Sequence, residues 1–571
     1  MIDFKQDIAN ILEAADIGLT NDELMKYLEI PQDTKLGDYA LPCFRLAKTL
    51  RKAPNLIAEE IVAKIKDDPF FEKVEQVGGY VNMFVSRSEM VYDVVKEVVD
   101  KKEEYGNSDL WAGKNVCVEY SSPNICKPFH IGHIRSTIQG AAIANLYEAM
   151  GANVTRLNHL GDYGTQFGKQ IVAYRLWGDK EAVEANPIPE LLKLYTKFHV
   201  EAADHPELDD QAREAFRKLE NGEKEEVELW QWFREVSLKE FGGVYDILGI
   251  TFDNYNGESF YSDKMQPLID ELEEKGISEI SQGATIVDLE DVGLPPCLVK
   301  KSDGSTLYLT RDIAAAQYRY DTWKFDRSIY VVASQQNLYF QQLIAVMKKL
   351  GRDWAENVVH VPFGMVSLKE GTMSTRSGRV VFLEDVLNRA VEKTKEIILE
   401  KGAANGDVDE IAHQVGVGAV IFQELANNRI KDYVFDWDRT LNFDGETGPY
   451  VQYTYARASS VIRKADEADV TKALAGDFDA KYLTGDAAYE LAKTIYMLPW
   501  VIQEAAEKYE GSIVTRHVVD IAQAFNRFYH DEQVLVDDAD ERVAKLALVE
   551  AARFAIKKAL SIICMEAPES M

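Results

Sequence analysis

The sequence predicts an α/β domain built on a parallel sheet, between a small N-terminal α+β domain and an all-α C-terminal region. Apolar, β-branched runs at 116–120 and 154–157 are typical of buried strands. The segment between them has apolar residues at helical spacing and ends at Gly151, so the unit is strand, helix, strand, with the right-handed crossover of a parallel sheet. Amphipathic helical patterns then continue from about residue 386 to the end.

The elements suggest four regions in chain order. Residues 1–108 contain helical patterns followed by the strand-like VEQVGGYVNMFVS, which indicates the α+β domain. Residues 110–385 form the central α/β domain, interrupted at about 180–290 by a charge-rich helical insertion. Helical regions follow at 386–445 and 446–571.

Composition narrows the class of protein. With 46% apolar and 28% charged residues, the chain of 571 residues is typical of ordinary globular proteins. It contains no apolar run of membrane-spanning length, and its first residues carry acids where a signal peptide has bases, so we expect a cytoplasmic protein with no membrane contact. The five cysteines form no CxxC pair, which predicts neither structural zinc nor disulfides.

The net charge of −31 by itself favours a protein that does not bind nucleic acid, because contacts with phosphates dominate nucleic-acid affinity. An RNA-binding interpretation requires lysines and arginines gathered on one face. The acidic remainder of the surface would then suppress non-specific binding.

A phosphate site is predicted where the first strand of the α/β unit leads into its helix. Lys127, His130 and His133 fall at the start of the helix, where unpaired N–H groups and the helix dipole favour an anion. Gly132 has no side chain, which lets a flat ring lie against the backbone. The segment GTQFGK at 164–169 is not a P-loop, because it lacks the four-residue gap between glycines and the following Ser or Thr.

Residues 130–133, His-Ile-Gly-His, match the HIGH signature of class I aminoacyl-tRNA synthetases, and SSPNICKPFHIGHIRSTIQG at 121–140 resembles the arginyl-tRNA synthetase version of it. Further segments resemble that family in its order: NHLGDYGTQFG, YLTRDIAAA, ASQQ, MSTRSG and GETGPYVQYTYAR. The resemblance covers essentially the whole chain. It implies a Rossmann-like class I catalytic domain with a connective insertion, and ATP-dependent ligation of L-arginine to tRNA(Arg) through an arginyl-adenylate, releasing AMP and pyrophosphate.

The predicted arginine site gathers polar residues at or just past the ends of predicted strands, where open parallel sheets bind ligands. A guanidinium has five donors and no acceptor, so it requires carboxylates and a phenol oxygen. Glu119 and Asp312 supply the charge and Tyr308 the oxygen, while Asn124, Gln336 and His133 complete the set. Without the resemblance, Glu119 and Asp312 would more often be structural ion-pair partners.

The resemblance assigns ATP, with Mg²⁺ as part of the substrate complex, to the helix start and to the loop at 372–376. His130 and His133 would stabilise the transition state at the α-phosphorus by hydrogen bonds and charge. The loop lacks both lysines of the usual KMSKS motif, so Lys127 would compensate and Arg376 would supply one cation. The expected ATP-binding residues are Lys127, His130, Gly132, His133, Met373, Ser374 and Arg376, with Lys127, His130, His133 and Arg376 as the catalytic groups.

For tRNA, the resemblance implies that the N-terminal domain contacts the D-loop, that residues 386–445 contact the stem, and that residues 446–571 bind the anticodon. Aromatic, amide and cationic side chains can stack on unpaired bases and read them. The expected tRNA-binding residues are Tyr80, Asn82, Tyr450, Gln452, Tyr453, Arg457, Tyr529 and Met571. Alternatively, Tyr80 is an ordinary strand aromatic and the stripe in 450–457 belongs to a helix core.

Two other functions fit part of the pattern. One is a synthetase paralogue that adenylates an amino acid for another acceptor, which the intact C-terminal region disfavours. The other is a non-catalytic RNA-binding protein that has kept the fold but lost the catalytic site, as the missing KMSKS lysines would indicate. We expect a monomer that requires bound tRNA before it activates arginine, as the resemblance implies.

Overall fold

The computed structural model describes residues 2–31, 33–301, 308–367, 381–401, 406–436 and 445–571. The chain divides into two compact units. The first comprises residues 1–106, 454–499 and 520–558, and the second comprises residues 107–453, 500–519 and 559–571. Each unit therefore combines segments that lie far apart in the sequence.

The N-terminal part of the first unit is an α+β fold on a three-stranded antiparallel sheet of order β1-β3-β2. Its elements are α1 Phe4–Ala14, α2 Asn21–Tyr27, β1 Tyr39–Pro42, α3 Phe44–Leu50, α4 Pro54–Ile65, β2 Phe71–Val77, β3 Tyr80–Val85 and α5 Arg87–Lys101. The run predicted as one strand-like segment is a hairpin, because Gly78, at φ +60°, and Gly79 turn the chain between β2 and β3.

The second unit is built on a four-stranded parallel sheet of order β10-β9-β4-β5. Its first crossover is β4 Asn115–Glu119, α6 His133–Ala149 and β5 Asn153–Leu157, as predicted from the spacing of apolar residues. A side-chain hydrogen bond connects α6 to the sheet: Ser136 Oγ donates to the Val331 carbonyl at 2.9 Å. The start of α6 is thereby held at the carboxyl edge of the sheet.

The insertion after β5 is helical, followed by a small antiparallel sheet of order β6-β7-β8. It contains α7 Thr165–Trp177, α8 Lys180–Ala185, α9 Pro187–Asp204, α10 Glu207–Glu220, α11 Lys224–Leu248, α12 Met265–Glu274, β6 Ser278–Ser281, β7 Ala284–Val287 and β8 Cys297–Lys300. The chain then returns to the parallel sheet through α13 Tyr308–Trp323, β9 Arg327–Ala333, α14 Asn337–Lys349 and β10 Val358–Phe363.

The sequence-based placement of Tyr308 and Asp312 after a strand of the parallel sheet is wrong. Both residues lie in α13, and the strand before them, β8, belongs to the antiparallel sheet. Because α13 runs directly into the start of β9, the helix points the opposite way to the strand. Its first turns therefore lie at the carboxyl edge of the parallel sheet, where the site was expected.

The remaining elements are almost all helical. They are β11 Val366–Ser367, α15 Leu383–Lys401, α16 Val408–Leu425, β12 Tyr433–Val434, α17 Gly448–Lys464, α18 Glu467–Leu474, α19 Asp486–Tyr496, α20 Leu498–Lys508, α21 Ser512–Asp531 and α22 Ala539–Ile562. The short strands β11 and β12 pair in parallel. Among the helices that the structure describes, none combines the length and the apolar character needed to cross a membrane.

Candidate active site

Three polar side chains occupy the carboxyl edge of the parallel sheet. Glu119 is the last residue of β4, His159 follows β5 by two residues, and Gln336 follows β9 by three. Glu119 is 8% exposed, whereas Gln336 is exposed. The edge therefore has a buried acidic side and an open polar side, as a pocket for a small charged ligand requires.

Asp312 lies in the same pocket as Glu119. Glu119 raises the pKa of Asp312 electrostatically, which places the two carboxylates within interaction range. Burial is the larger cause, and together they raise the pKa of Asp312 to about 6. The Tyr339 hydroxyl donates to Asp312 Oδ2 and opposes this shift. At neutral pH Asp312 is thus an ionised, partly buried carboxylate.

Glu119 is already neutralised by the protein itself. An Arg319 Nη1 atom lies 2.5 Å from Glu119 Oε2, and the Arg319 side chain is almost completely buried, against the Tyr330 ring at 5.2 Å. In contrast, no lysine or arginine among the described residues lies within ion-pair distance of Asp312. Glu119 is thus an ion-pair partner of Arg319 within the protein, whereas Asp312 has no such partner among the described residues; that both acids bind the substrate stays a prediction.

Tyr308 is the first residue of α13, and its side chain is 63% exposed beside a hydrogen-bonded arginine–glutamate pair. Arg311 Nη1 lies 2.7 Å from Glu258 Oε2, and the guanidinium sits 5.7 Å from the Tyr308 ring and 4.3 Å from the Tyr163 ring. Arg311 thus packs between the Tyr163 and Tyr308 rings on one side of the pocket.

Asn124 packs closely against the segment after β5 because position 161 is a glycine. The backbone of Gly161 pairs with the segment at Asn124, and Gly161 N donates to the Pro123 carbonyl at 3.0 Å. A Cβ on Gly161 would lie only 2.1 Å from Asn124 Oδ1. Any other residue at this position would displace the Asn124 amide.

The two histidines form one packed pair at the start of α6. His133 stacks on Phe129 at 5.0 Å, and the His130 and His133 rings lie 4.0 Å apart. The His130 backbone N–H donates to His133 Nδ1, and the Gly132 N–H donates to His130 Nδ1, both at 3.1 Å. His130 Nδ1 therefore acts as an acceptor, whereas His133 Nδ1 lies near both the His130 N–H and, at 3.2 Å, the His130 carbonyl.

Burial lowers the pKa of His130 and of His133 below their ordinary value, and the neighbouring ring lowers that of His133 further. Both rings are therefore neutral at pH 7. The expected contribution of histidine charge is wrong for this structure: the pair can offer Nε2–H donors to a phosphate, but no formal charge.

Lys127 supplies the cation near the histidines. Its Nζ donates to Gln166 Oε1 at 2.9 Å and lies 5.9 Å from the Tyr195 ring, so it is held between α7 and α9. The expected contributions of Met373, Ser374 and Arg376 fall on residues outside the described ranges. Across those ranges, no group of three or more His, Cys, Asp or Glu side chains is arranged to hold a metal ion.

Comparison with known protein families agrees with this geometry. Residues 94–437 match the family model described as tRNA synthetases class I (R), catalytic domain. Residues 3–85 match the arginyl tRNA synthetase N terminal domain, and residues 451–571 match the DALR anticodon binding domain. The chain belongs to the arginyl-tRNA synthetase family.

Curated relatives match this synthetase over its full length. The chain is 56% identical over 571 residues to the arginine–tRNA ligase of Clostridioides difficile strain 630, with 100% of both chains covered. It is 54% identical to the arginine–tRNA ligase of Halothermothrix orenii, again over 100% of both chains. Among solved structures, Thermus thermophilus arginyl-tRNA synthetase shares the fold with a TM-score of 0.81, at 24% identity, covering 99% of this chain and 100% of that one.

Two of the expected tRNA-binding residues of this synthetase are buried. Asn82 is only 3% exposed, within β3 of the N-terminal sheet. Gln452 is fully buried, and its Nε2 donates to the carbonyls of Gln414 and Glu566 at 2.9 Å each. Neither amide faces solvent, so their predicted base contacts are wrong for this structure; both side chains have packing roles.

Other expected tRNA-binding residues of the synthetase are accessible. Tyr80 is 38% exposed and packs edge-on against Phe44 at 5.3 Å. Tyr453 is 47% exposed on α17, where Tyr450 is half-buried. Met571 packs against the apolar cluster of Ile398, Ile411, Ala412 and Val415.

Tyr529 forms the best-defined stacking surface among these residues. It is 42% exposed on α21, stacks on Phe525 at 6.2 Å, and has the Arg457 guanidinium 5.5 Å from its ring. Arg457 also donates to Asn526 Oδ1. The ring is thus held rigidly beside a cation, an arrangement suited to a stacked base.

We predict that Tyr529→Ala raises the KM for tRNA about 5- to 100-fold, because stacking on an aromatic ring contributes about 1–3 kcal/mol per base. Tyr529→Phe should stay near wild type. Tyr92→Ala is the matched control, since Tyr92 is also exposed (36%) and packs on a phenylalanine in the same unit. Steady-state charging kinetics measure the effect. Equal KM values for Tyr529→Ala and Tyr92→Ala would show that Tyr529 does not contact tRNA.

Arg319, His159 and Tyr339 are the pocket residues that sequence reasoning missed. Arg319 follows Asp312 by seven residues, which in a helix places both on one face, and this spacing was a usable signal. His159 lies within the family-like NHLGDYGTQFG segment. Nothing in the sequence pattern marked Tyr339, because it reaches Asp312 only through the packing of α14 on α13.

Proposed function

We propose that this chain ligates L-arginine to tRNA(Arg) at the expense of ATP, through an arginyl-adenylate. The single observation that carries the proposal is the Asp312 carboxylate, which has no lysine or arginine among the described residues within ion-pair distance and lies beside Glu119 at the sheet edge that also holds the start of α6. A guanidinium fits such a carboxylate through paired charge-assisted hydrogen bonds. The full-length relatives that are named arginine–tRNA ligases support the same assignment.

In the first step, the arginine carboxylate attacks the α-phosphorus of ATP and pyrophosphate leaves. Asp312 and Tyr308 hold the guanidinium, and Asn124 and Gln336 take the α-amino and carboxylate groups. The neutral His130 and His133 donate from Nε2 to the phosphate oxygens as charge shifts toward pyrophosphate, and Mg²⁺ accompanies ATP as part of the substrate. Met373, Ser374 and Arg376, which lie outside the described residues, are the further ATP-binding residues that we propose, with Arg376 as a cation.

In the second step, the terminal ribose of tRNA takes the arginyl group and AMP leaves. We propose that the N-terminal domain contacts the D-loop, that residues 386–445 contact the stem and that residues 446–571 bind the anticodon, with Tyr80, Tyr450, Tyr453, Arg457, Tyr529 and Met571 as contacts. We propose that the chain acts as a monomer. We propose that it acts in the cytoplasm.

A charging assay tests the function. We expect ATP-dependent attachment of arginine, and not of lysine or citrulline, to a purified tRNA(Arg), because a site built for a guanidinium leaves its polar groups unpaired with either analogue. Arginine-dependent pyrophosphate exchange should require tRNA. Exchange with arginine but no charging would support the paralogue, and tRNA binding without either reaction would support the non-catalytic alternative.

On the ATP side, we predict that Lys127→Ala lowers kcat about 100- to 1,000-fold, because it removes the described cation that stabilises charge on the leaving phosphates. Binding of tRNA should be unchanged. Lys197→Ala is a matched control, since Lys197 likewise lies on an aromatic ring, that of Trp177, in the insertion. Unchanged turnover in Lys127→Ala would exclude Lys127 from the mechanism.

A further inference from the structure

His159 lies in the arginine pocket but has no role in the mechanism above. Its backbone N–H donates to Ser122 Oγ at 3.2 Å, and its ring packs near the buried Tyr261 at 5.6 Å. Only 12% of its side chain is exposed. The ring is therefore held in one place by contacts on two sides.

The two ring nitrogens of His159 face opposite kinds of neighbour. Nδ1 lies 3.3 Å from Arg319 Nη2, and Nε2 lies 3.9 Å from Asp312 Oδ1. A guanidinium has only donors, so Nδ1 must be the acceptor and the ring proton must be on Nε2. The ion pair that Arg319 makes with Glu119 thus determines the tautomer of His159.

His159 Nε2 is also a buried polar atom without a hydrogen-bond partner among the described residues. Such an atom costs free energy unless it acquires a partner in the working state of the protein. Asp312 Oδ1 is the carboxylate oxygen that it faces, at a distance about one ångström longer than a normal hydrogen bond, and the Asn256 carbonyl also interacts with the ring. The other oxygen, Oδ2, already accepts from Tyr339.

We propose that His159 is a positioning residue for arginine recognition, whose Nε2–H orients the Asp312 carboxylate toward the substrate's guanidinium. With Tyr339 on Oδ2 and His159 on Oδ1, each oxygen keeps a lone pair for one N–H of the substrate. The ring stays neutral, because burial lowers the pKa of His159 to about 4, although Glu119 and the Asn256 carbonyl oppose this. It therefore directs Asp312 without competing for its charge. The inference depends on the proposed function, in which Asp312 binds arginine.

Two amide substitutions separate the roles of the ring nitrogens. In His159→Gln the amide nitrogen occupies the place of Nε2 and can still donate to Asp312. In His159→Asn the amide reaches only the place of Nδ1, beside Arg319. We expect His159→Asn to raise the KM and the dissociation constant for arginine about 10- to 100-fold, with the KM for ATP and for tRNA unchanged, and His159→Gln to recover most of the loss.

The pH profile distinguishes positioning from a merely structural role. A hydrogen bond to the ionised form of Asp312 lowers its pKa, so its loss in His159→Asn should move the acid midpoint of kcat/KM for arginine upward, while His159→Gln keeps the wild-type midpoint. Glu119, Arg311, Arg319 and Tyr339 also face Asp312 and are the same in both variants. Equal profiles and equal arginine affinity for wild type and His159→Asn would overturn the proposal.

A measurement on the unsubstituted chain covers the case in which His159→Asn does not fold. Nitrogen-15 labelling of histidine in the full chain, with the His159 signal assigned by its loss in His159→Gln, should show Nε2 protonated and shifted when arginine is added. A proton on Nδ1, or no shift at saturating arginine, would contradict the proposal. If arginine does not bind to the wild-type chain at all, the proposed function itself fails.

Discussion

Asp312→Asn should abolish most arginine binding, raising the dissociation constant for arginine about thirty- to several-thousand-fold. Removing one charge from a buried, hydrogen-bonded charge pair costs about 2–5 kcal/mol, and Asp312 is the acid of the pocket that Arg319 does not neutralise. The Tyr339 hydroxyl can still donate to the asparagine oxygen, so the side chain should keep its place. Calorimetric titration with arginine measures the loss.

The matched comparison for this variant is Glu119→Gln. Because Glu119 pairs with Arg319 inside the protein, its substitution should destabilise the fold and disturb the pocket indirectly, with a smaller effect on arginine affinity than Asp312→Asn once folding is verified. ATP affinity should remain near wild type in Asp312→Asn. A larger loss of arginine affinity in Glu119→Gln than in Asp312→Asn would reverse the assignment of the two acids.

Protonation of the Asp312 carboxylate should also set the lower pH limit of activity. With the pKa of Asp312 raised to about 6, protonation removes the charge that binds arginine, so kcat/KM for arginine should fall about tenfold per pH unit below 6. Without burial, this limit would lie near the ordinary aspartate value of 3.8. Glu258, whose pKa burial raises to about 8, titrates above this range. A flat profile down to pH 5 would contradict the assignment.

The sequence predicted the elements that depend on local pattern. The β4–α6–β5 unit followed from apolar spacing, and the position of His130 and His133 at the start of α6 followed from the strand-to-helix junction. Glu119 was placed correctly because the carboxyl ends of parallel strands share one edge. These features can be predicted from the spacing of apolar residues and the direction of the strands alone.

The features that the sequence did not predict depend on packing between distant segments. Arg319 meets Glu119 only because α13 packs against β4. Burial keeps His133 neutral only in the folded chain, where its ring also stacks on Phe129. Gln452 looked like an RNA contact because aromatic and amide residues surround it in sequence. Its burial follows from the packing of α17 against other helices, which no local pattern reveals.

A fully buried ion pair also fixes the start of α6. Arg135 Nε lies 2.9 Å from Glu424 Oε1, and both side chains are 0% exposed. Tyr433 donates to Glu424 Oε2 at 2.8 Å, and Arg135 donates to the Lys431 carbonyl at 2.7 Å. The pair therefore ties the helix of the two histidines to α16 and to β12.

We predict that Glu424→Gln destabilises the second unit by about 3–5 kcal/mol, because it leaves the Arg135 charge buried without its counterion. Burial raises the pKa of Glu424 and Arg135 lowers it, so the pair depends on Arg135 to keep this carboxylate ionised. Replacing both partners, as in Arg135→Met with Glu424→Leu, should restore most of the stability, since apolar side chains fill the volume without any charge to desolvate. Urea unfolding followed by tryptophan fluorescence measures the change.

The control is a lysine–glutamate ion pair on the surface of the same unit. Lys508 lies 2.6 Å from Glu504, with both side chains at least half exposed, so Glu504→Gln should change stability by about 0–1 kcal/mol. If Glu424→Gln were no worse than Glu504→Gln, the buried pair would not hold α6. The double variant could be stable and yet turn over slowly. Such a result would give the Arg135–Glu424 cluster a second role, because apolar side chains can replace the stability that the cluster provides. They cannot replace the hydrogen bonds that fix the orientation of α6.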